Sequence, residues 1–117
     1  MYTFYEYPKC STCRKAKADL KQYISDFESV DIKTTPPKAE LLKEWMETSD
    51  FTMKNFFNTS GNSYKEMGLK DKIDDLSIEE AAQLLSQDGM LIKRPILVKD
   101  KQVIQIGARK PYGEIFK

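Results

Sequence analysis

Tyr2-Thr3-Phe4-Tyr5-Glu6-Tyr7-Pro8-Lys9-Cys10-Ser11-Thr12-Cys13-Arg14-Lys15-Ala16 is the stretch that decides the fold. Its first six residues are mostly aromatic or β-branched and stop at a proline, which predicts a buried strand over 2–7. Pro8-Lys9-Cys10-Ser11 carries no period and reads as a loop. From Thr12 a helical period begins, with Cys13, Ala16, Leu20, Tyr23 and Ile24 on one face and Lys15, Lys17 and Lys21 off it. Phe27, Val30 and Ile32 then mark a second extended segment over 27–32. Strand, helix, strand is a βαβ unit, whose parallel strands need a right-handed crossover.

Working outward, Thr35-Pro36-Pro37 opens a helix with Leu41, Leu42, Trp45 and Met46 as its stripe, because proline is tolerated in a first turn. Short helical stretches follow at 52–57 and 63–67, broken by Gly61 and Gly68. Ser77-Ile78-Glu79-Glu80 is a capping-box pattern. It starts a helix with Ile78, Ala81, Ala82, Leu84 and Leu85 inward, ending near Gly89. Residues 90–98 and 103–107 are apolar runs joined by Asp100-Lys101, an antiparallel hairpin. The last eight residues predict a short helix carrying Tyr112, Ile115 and Phe116. The order predicts an α/β fold, a thioredoxin/glutaredoxin-like mixed four-stranded sheet with an inserted helical subdomain. We expect a single domain, its core at about 1–33 and 90–117 and its helical insert at about 34–89.

Composition narrows the chemistry. A chain of 117 residues supports one core of ordinary size without disulfide staples. Nineteen Lys+Arg against eighteen Asp+Glu give +1, which argues against direct nucleic-acid binding by phosphate neutralisation. No apolar run is long enough to span a bilayer and the N-terminus lacks a secretory pattern, so a cytoplasmic monomer away from membranes is expected. There is no histidine. That excludes Ser-His-Asp and Cys-His catalytic pairs and any imidazole general base. Two thiolates cannot by themselves close a four-ligand zinc site, and no metal or organic cofactor is expected.

The chemistry therefore falls to Cys10 and Cys13, a Cys-x-x-Cys at a strand-to-helix junction. Unpaired N–H groups and the positive dipole end of the helix favour a thiolate at Cys10, and Lys9, Arg14 and Lys15 add positive charge. Cys13, one turn into the helix, is placed to attack an adduct on Cys10 and release it as a cyclic disulfide forms. Read blandly, Cys13 fills core and the dithiol is incidental. Arg94-Pro95 is the second feature: a proline opening a strand beside a thiol loop is a known place for a cis peptide, and the guanidinium suits an oxyanion.

The segments 7–16 (Tyr-Pro-Lys-Cys-Ser-Thr-Cys-Arg-Lys-Ala), 56–61 (Phe-Phe-Asn-Thr-Ser-Gly), 64–69 (Tyr-Lys-Glu-Met-Gly-Leu) and 91–98 (Leu-Ile-Lys-Arg-Pro-Ile-Leu-Val) resemble the arsenate reductase/Spx family, closest to its small arsenate reductase-like or Spx/MgsR-like members. The resemblance implies Cys10 as nucleophile in a Cys-x3-Arg loop with Arg14. The family's arsenate reductases usually lack a second cysteine and let glutathione resolve the adduct, so Cys13 as resolving thiol is expected from its position alone. The resemblance also implies Ser11, Thr12, Arg14, Arg94 and Arg109 around a substrate oxyanion, and Pro95 as the cis proline. Glutathione, glutaredoxin or thioredoxin would be the external reductant. The chain departs from the arsenate reductase pattern at Glu6, where those enzymes carry a histidine, and at Asn58, where they carry an arginine. A carboxylate at Glu6 is expected to raise the thiol pKa. The regulator branch instead implies a dithiol switch that binds the C-terminal domain of the RNA polymerase α-subunit. In that branch a glycine opens the insert, and Phe51 stands in its place here. A thiol oxidoreductase and a redox-sensing regulator thus both stand as expectations.

Overall fold

The computed structural model describes residues 1–116, in two compact units: Met1–Asp31 with Arg94 onward, and Ile32–Lys93. The first unit is built on a four-stranded sheet of order β2-β1-β3-β4, comprising β1 (Tyr2–Glu6), β2 (Phe27–Asp31), β3 (Ile96–Lys99) and β4 (Gln102–Ile106). β1 runs parallel to β2, with Tyr2 opposite Phe27 and Glu6 opposite Asp31. It runs antiparallel to β3, with Tyr2 opposite Lys99 and Tyr5 opposite Ile96. The β3–β4 hairpin turns at Asp100, a non-glycine residue with φ of 56°. Aspartate tolerates that left-handed conformation better than most residues. The expected four-stranded mixed sheet is the one that forms.

Against it lies helix α1 (Ser11–Leu20), which links β1 to β2, and a short C-terminal helix, Tyr112–Ile115. Phe4, Ala16, Leu20, Leu97 and Tyr112 make the buried core of this unit, flanked by Tyr2, Ile24, Phe27 and Phe116. Each large apolar side chain buried there stabilises the fold by roughly 1.5–3 kcal/mol. Helix α1 stops at Leu20, short of the expected face. Its last carbonyls are taken up by a tight turn (Gln22 N–H to Asp19, Tyr23 N–H to Leu20), which turns Tyr23 out to 44 % exposure against Phe116.

The second unit holds α2 (Ala39–Thr48), α3 (Asn62–Glu66), α4 (Ile78–Gln87) and several 3-10 turns. Helix α2 begins at Ala39, after both prolines. Pro37 forces Pro36 out of the helical region, so Thr35-Pro36-Pro37 precedes the helix rather than opening it. Ser77 and Glu80 close the predicted capping box on α4. Ile78, expected inward, is 36 % exposed in the first turn, whereas Ala81, Ala82 and Leu85 are buried. Phe56 and Phe57 are core residues, and Phe57 meets Tyr64 edge-on at 6.3 Å. The strand expected from Met90 is shorter. Residues 89–91 form a 3-10 turn and β3 starts only after Pro95, which has no N–H for the ladder. Residues 32, 33 and 90–93, drawn with the core from sequence, fall in this second unit, where Ile92 bridges to Phe57.

Candidate active site

Loop 7–9 carries the chain from β1 to Cys10, the N-cap of α1, with extended backbone (φ −85°, ψ 122°). The Cys10 N–H donates to the Tyr7 carbonyl at 2.9 Å and its own carbonyl accepts from Arg14 at 3.1 Å, so the sulfur is fixed at the helix mouth. No acid occupies the first turn. Burial pushes the Cys10 thiol up, but the Cys13 N–H, the Cys13 S–H, the Thr12 N–H and the Arg94 guanidinium together pull it below its ordinary value of 9.0. The sulfur closes no full cap hydrogen bond. What acts on it is the converging field of donors.

Cys13 is the opposite case. Its side chain is fully buried, and burial pushes the thiol up to about 12. The Tyr7 backbone pulls it down, the Cys10 sulfur pushes it up and Arg94 pulls it down. Both cysteines are free. The pair is therefore asymmetric, with a sulfur lowered by donors at the helix mouth and a sulfur raised by burial beneath it.

Arg94 acts on both sulfurs although it lies some eighty residues away in sequence. Its peptide bond to Pro95 is cis, Pro95 is buried, and the guanidinium lies over the Tyr7 ring, 5.3 Å from the centroid. Sequence reasoning missed Tyr7, although the strand register signals it. Tyr5 faces Ile96 across the antiparallel pair, so two residues further along β1 stands opposite two residues before β3. Among the other expected residues, Ser11, Thr12 and Arg14 are exposed on the first turn of α1, and Arg109 is exposed in the bend after β4. Asn58 and Phe51 belong to the second unit.

Glu6 is buried and ion-paired. It is 4 % exposed, and its Oε2 accepts from Lys17 Nζ at 2.8 Å. Its charge is answered by that ammonium, and the pulls that lower Cys10 come from Cys13, Thr12 and Arg94. Periodicity alone places Lys17 on a solvated face of the helix. Beside the first two turns of α1 opens a cleft of about 320 Å³, lined by Thr12, Lys15, Ala16, Asp19, Lys110 and Tyr112. Among the described residues no three acidic or cysteine side chains are placed to hold a metal ion, and no helix is long and apolar enough to cross a membrane.

With this geometry in hand, comparison with known proteins is informative. A model of the ArsC family matches residues 5–111. A solved structure described as a possible arsenate reductase from Streptococcus mutans is 56 % identical, with a TM-score of 0.94 over 98 % of this chain and 97 % of that one. The uncharacterized protein YusI of Bacillus subtilis is 45 % identical over 96 % of this chain and 94 % of its own length. The regulatory protein MgsR of the same organism is 31 % identical over 98 % of this chain and 87 % of its own.

Proposed function

Because this chain belongs to the ArsC family, we propose that it is a thiol-dependent oxidoreductase with Cys10 as nucleophile and Cys13 as resolving thiol. The Cys10 thiolate attacks one sulfur of a disulfide or glutathione adduct, the other sulfur leaves as a thiolate, and a mixed disulfide remains on Cys10. Cys13 then attacks Cys10, expels the bound thiol and leaves a Cys10–Cys13 disulfide. An external dithiol or two glutathione molecules return the two electrons. With arsenate, Cys10 displaces one oxygen as water to form a thiol adduct. Attack by Cys13 then releases arsenite, the arsenic having gained the two electrons that the disulfide lost. The Arg94 guanidinium balances negative charge on the substrate, with Arg14 and the first-turn residues Ser11 and Thr12 at the rim. Arg109 is the more distant candidate of the set. Glutathione, glutaredoxin or thioredoxin is the reductant, no resident cofactor takes part, and a reducing cytoplasm is the compartment in which a monomer with two free thiols would cycle.

The observation that supports this reading is the split between the two sulfurs, one lowered by donors and Arg94 and the other raised by burial. Mass spectrometry after treatment with arsenate or glutathione disulfide tests it. The natural chain should lose two hydrogens as the disulfide closes, Cys13→Ser should stop with an adduct on Cys10, and Cys10→Ser should stay unmodified. A Cys13→Ser protein that gains no adduct overturns the proposal. The kinship with regulators such as MgsR supports a second reading, in which the same dithiol sets affinity for the C-terminal domain of the RNA polymerase α-subunit. Binding to that domain that changes between the dithiol and disulfide forms, without turnover, would select it.

A further inference from the structure

The closing step needs a proton acceptor. Cys13 must lose its proton to attack, yet its sulfur is fully buried and the chain has no histidine. The groups that act on it offer little. Cys10 is spent in the adduct, Arg94 is a cation, and Tyr112 is a buried phenol that is itself protonated. Asp19 lies on α1, but its Oδ2 already accepts the Tyr112 N–H at 2.7 Å.

Glu6 is the charged residue that is buried among the described residues. It shares the sheet face of Phe4, two residues earlier, and Phe4 packs against Ala16 and Leu20 of α1. Lys17, whose ammonium holds Glu6 Oε2, stands four residues after Cys13, at the flank of the Cys13 face and next to it along α1. The next residue after Glu6, Tyr7, is the one whose backbone pulls on Cys13. Among the described residues Glu6 Oε1 has no hydrogen bond. Asp31 faces Glu6 across the parallel ladder. Burying the Glu6 carboxylate costs desolvation energy, which its bond to the partly exposed Lys17 offsets.

We propose that Glu6, held in place by Lys17, accepts the Cys13 proton in the closing step. The inference rests on the thiol-exchange reading above. The proton passes from Cys13 Sγ to the Glu6 carboxylate, directly or across one solvent molecule. The Cys13 thiolate forms a bond to Cys10 Sγ, the Cys10–substrate sulfur bond breaks, and the leaving thiolate takes up the proton from Glu6 or from water. No net oxidation occurs in this step, because the disulfide only changes partners.

Dithiobis-nitrobenzoate, an aromatic disulfide whose thiolate product is coloured, separates the two steps. The natural chain should release one coloured thiolate as Cys10 is loaded and a second as Cys13 closes. Glu6→Gln is read as the ratio of the second release rate to the first. It should lower that ratio at least tenfold, toward the roughly 100-fold typical of losing a general base. The second rate should also become proportional to hydroxide concentration across the neutral range, and Glu6→Asp should recover part of it. If both releases match the natural chain, or if both slow alike, the proposal is overturned. Absence of the first release in the natural chain defeats the underlying thiol reading instead. Should Glu6→Gln fail to fold, Glu6→Gln/Lys17→Met removes both charges at once and carries the same expectation.

Discussion

The guanidinium carbon of Arg94 lies 5.3 Å from the centre of the Tyr7 ring. The stacking follows from the sheet. β1 and β3 are antiparallel, their last paired residues are Tyr5 and Ile96, and each strand continues two residues into the loop edge where Cys10 begins. The negative face of the ring attracts the cation placed over it. The ring therefore does for Arg94 what the helix mouth does for Cys10, and both sulfurs feel the charge.

Arg94→Gln removes one of the pulls that hold the Cys10 thiol low, so that thiol titrates at higher pH. Alkylation of Cys10 by iodoacetamide at neutral pH should slow severalfold, with its pH profile moved upward. Arg94→Lys should restore part of the rate, since charge returns without the planar fork. Tyr7→Leu should shift the profile in the same direction but by less, because the arginine stays and loses only its platform. A profile that Arg94→Gln leaves unmoved would sink the assigned role of Arg94.

Gly89 is fixed by space rather than by backbone angle. A Cβ there would collide with the Ile32 carbonyl oxygen and come within 2.7 Å of its carbon, both main-chain atoms that cannot swing aside. Gly89→Ala should therefore destabilise the 32–93 unit by at least about 2 kcal/mol. Gly68, with φ of 63° and nothing within 4 Å, is limited by conformation alone. Gly68→Asn should be far milder than Gly68→Val, because asparagine tolerates the left-handed region and valine does not. Chemical denaturation of the three variants checks the order.

Ser77 accepts the Glu80 N–H at 3.1 Å while its own N–H donates to Glu80 Oε1 at 3.1 Å. Ser77→Ala loses the side-chain half of that exchange and should cost about 1 kcal/mol. Ser77→Asp keeps an acceptor and places a negative charge at the helix start, so it should stay near the natural stability. Equal losses in both variants by thermal melting would show that the cap contributes nothing.

Much of the fold is legible in the amino-acid order alone, and the misses share a cause. The β1–α1 junction, the capping box at Ser77 and the hairpin around Asp100 are local signals, carried by neighbours in sequence. Cys10 and Cys13 are visible for the same reason. Tyr7 and the Glu6–Lys17 pair are not, because each acquires its meaning from a partner fixed by strand register or helix packing. Lys17 illustrates the limit. By periodicity it is an exposed lysine, and only a buried carboxylate beneath the helix turns it inward. The α2 start at Ala39 is a local miss, because the helix-start preference of proline competes with the restriction Pro37 places on Pro36.

The strongest consequence for stability lies at alkaline pH. Burial pushes the Cys13 thiol up to about 12 from an ordinary 9.0. Burial, with Asp19 and Cys13 adding and Gln105 opposing, pushes the Tyr112 phenol up to about 12 from 10.0. Tyr5 is raised as well, by burial and then by Glu28. For all of these the folded value exceeds the unfolded one, so their contribution is intact below about pH 9 and is lost as pH climbs toward 12. Cys10 has the reverse sign, but its gain is complete once pH reaches its unfolded value of 9.0. Above that point the losses stand alone. Melting temperature should therefore hold steady to about pH 9 and then fall. Tyr112→Phe, which removes the titrating hydroxyl and keeps the buried ring, should leave neutral stability close to natural and flatten the fall. A melting curve as steep above pH 9 in Tyr112→Phe as in the natural chain would remove the phenol from the account and leave the thiol to explain the loss.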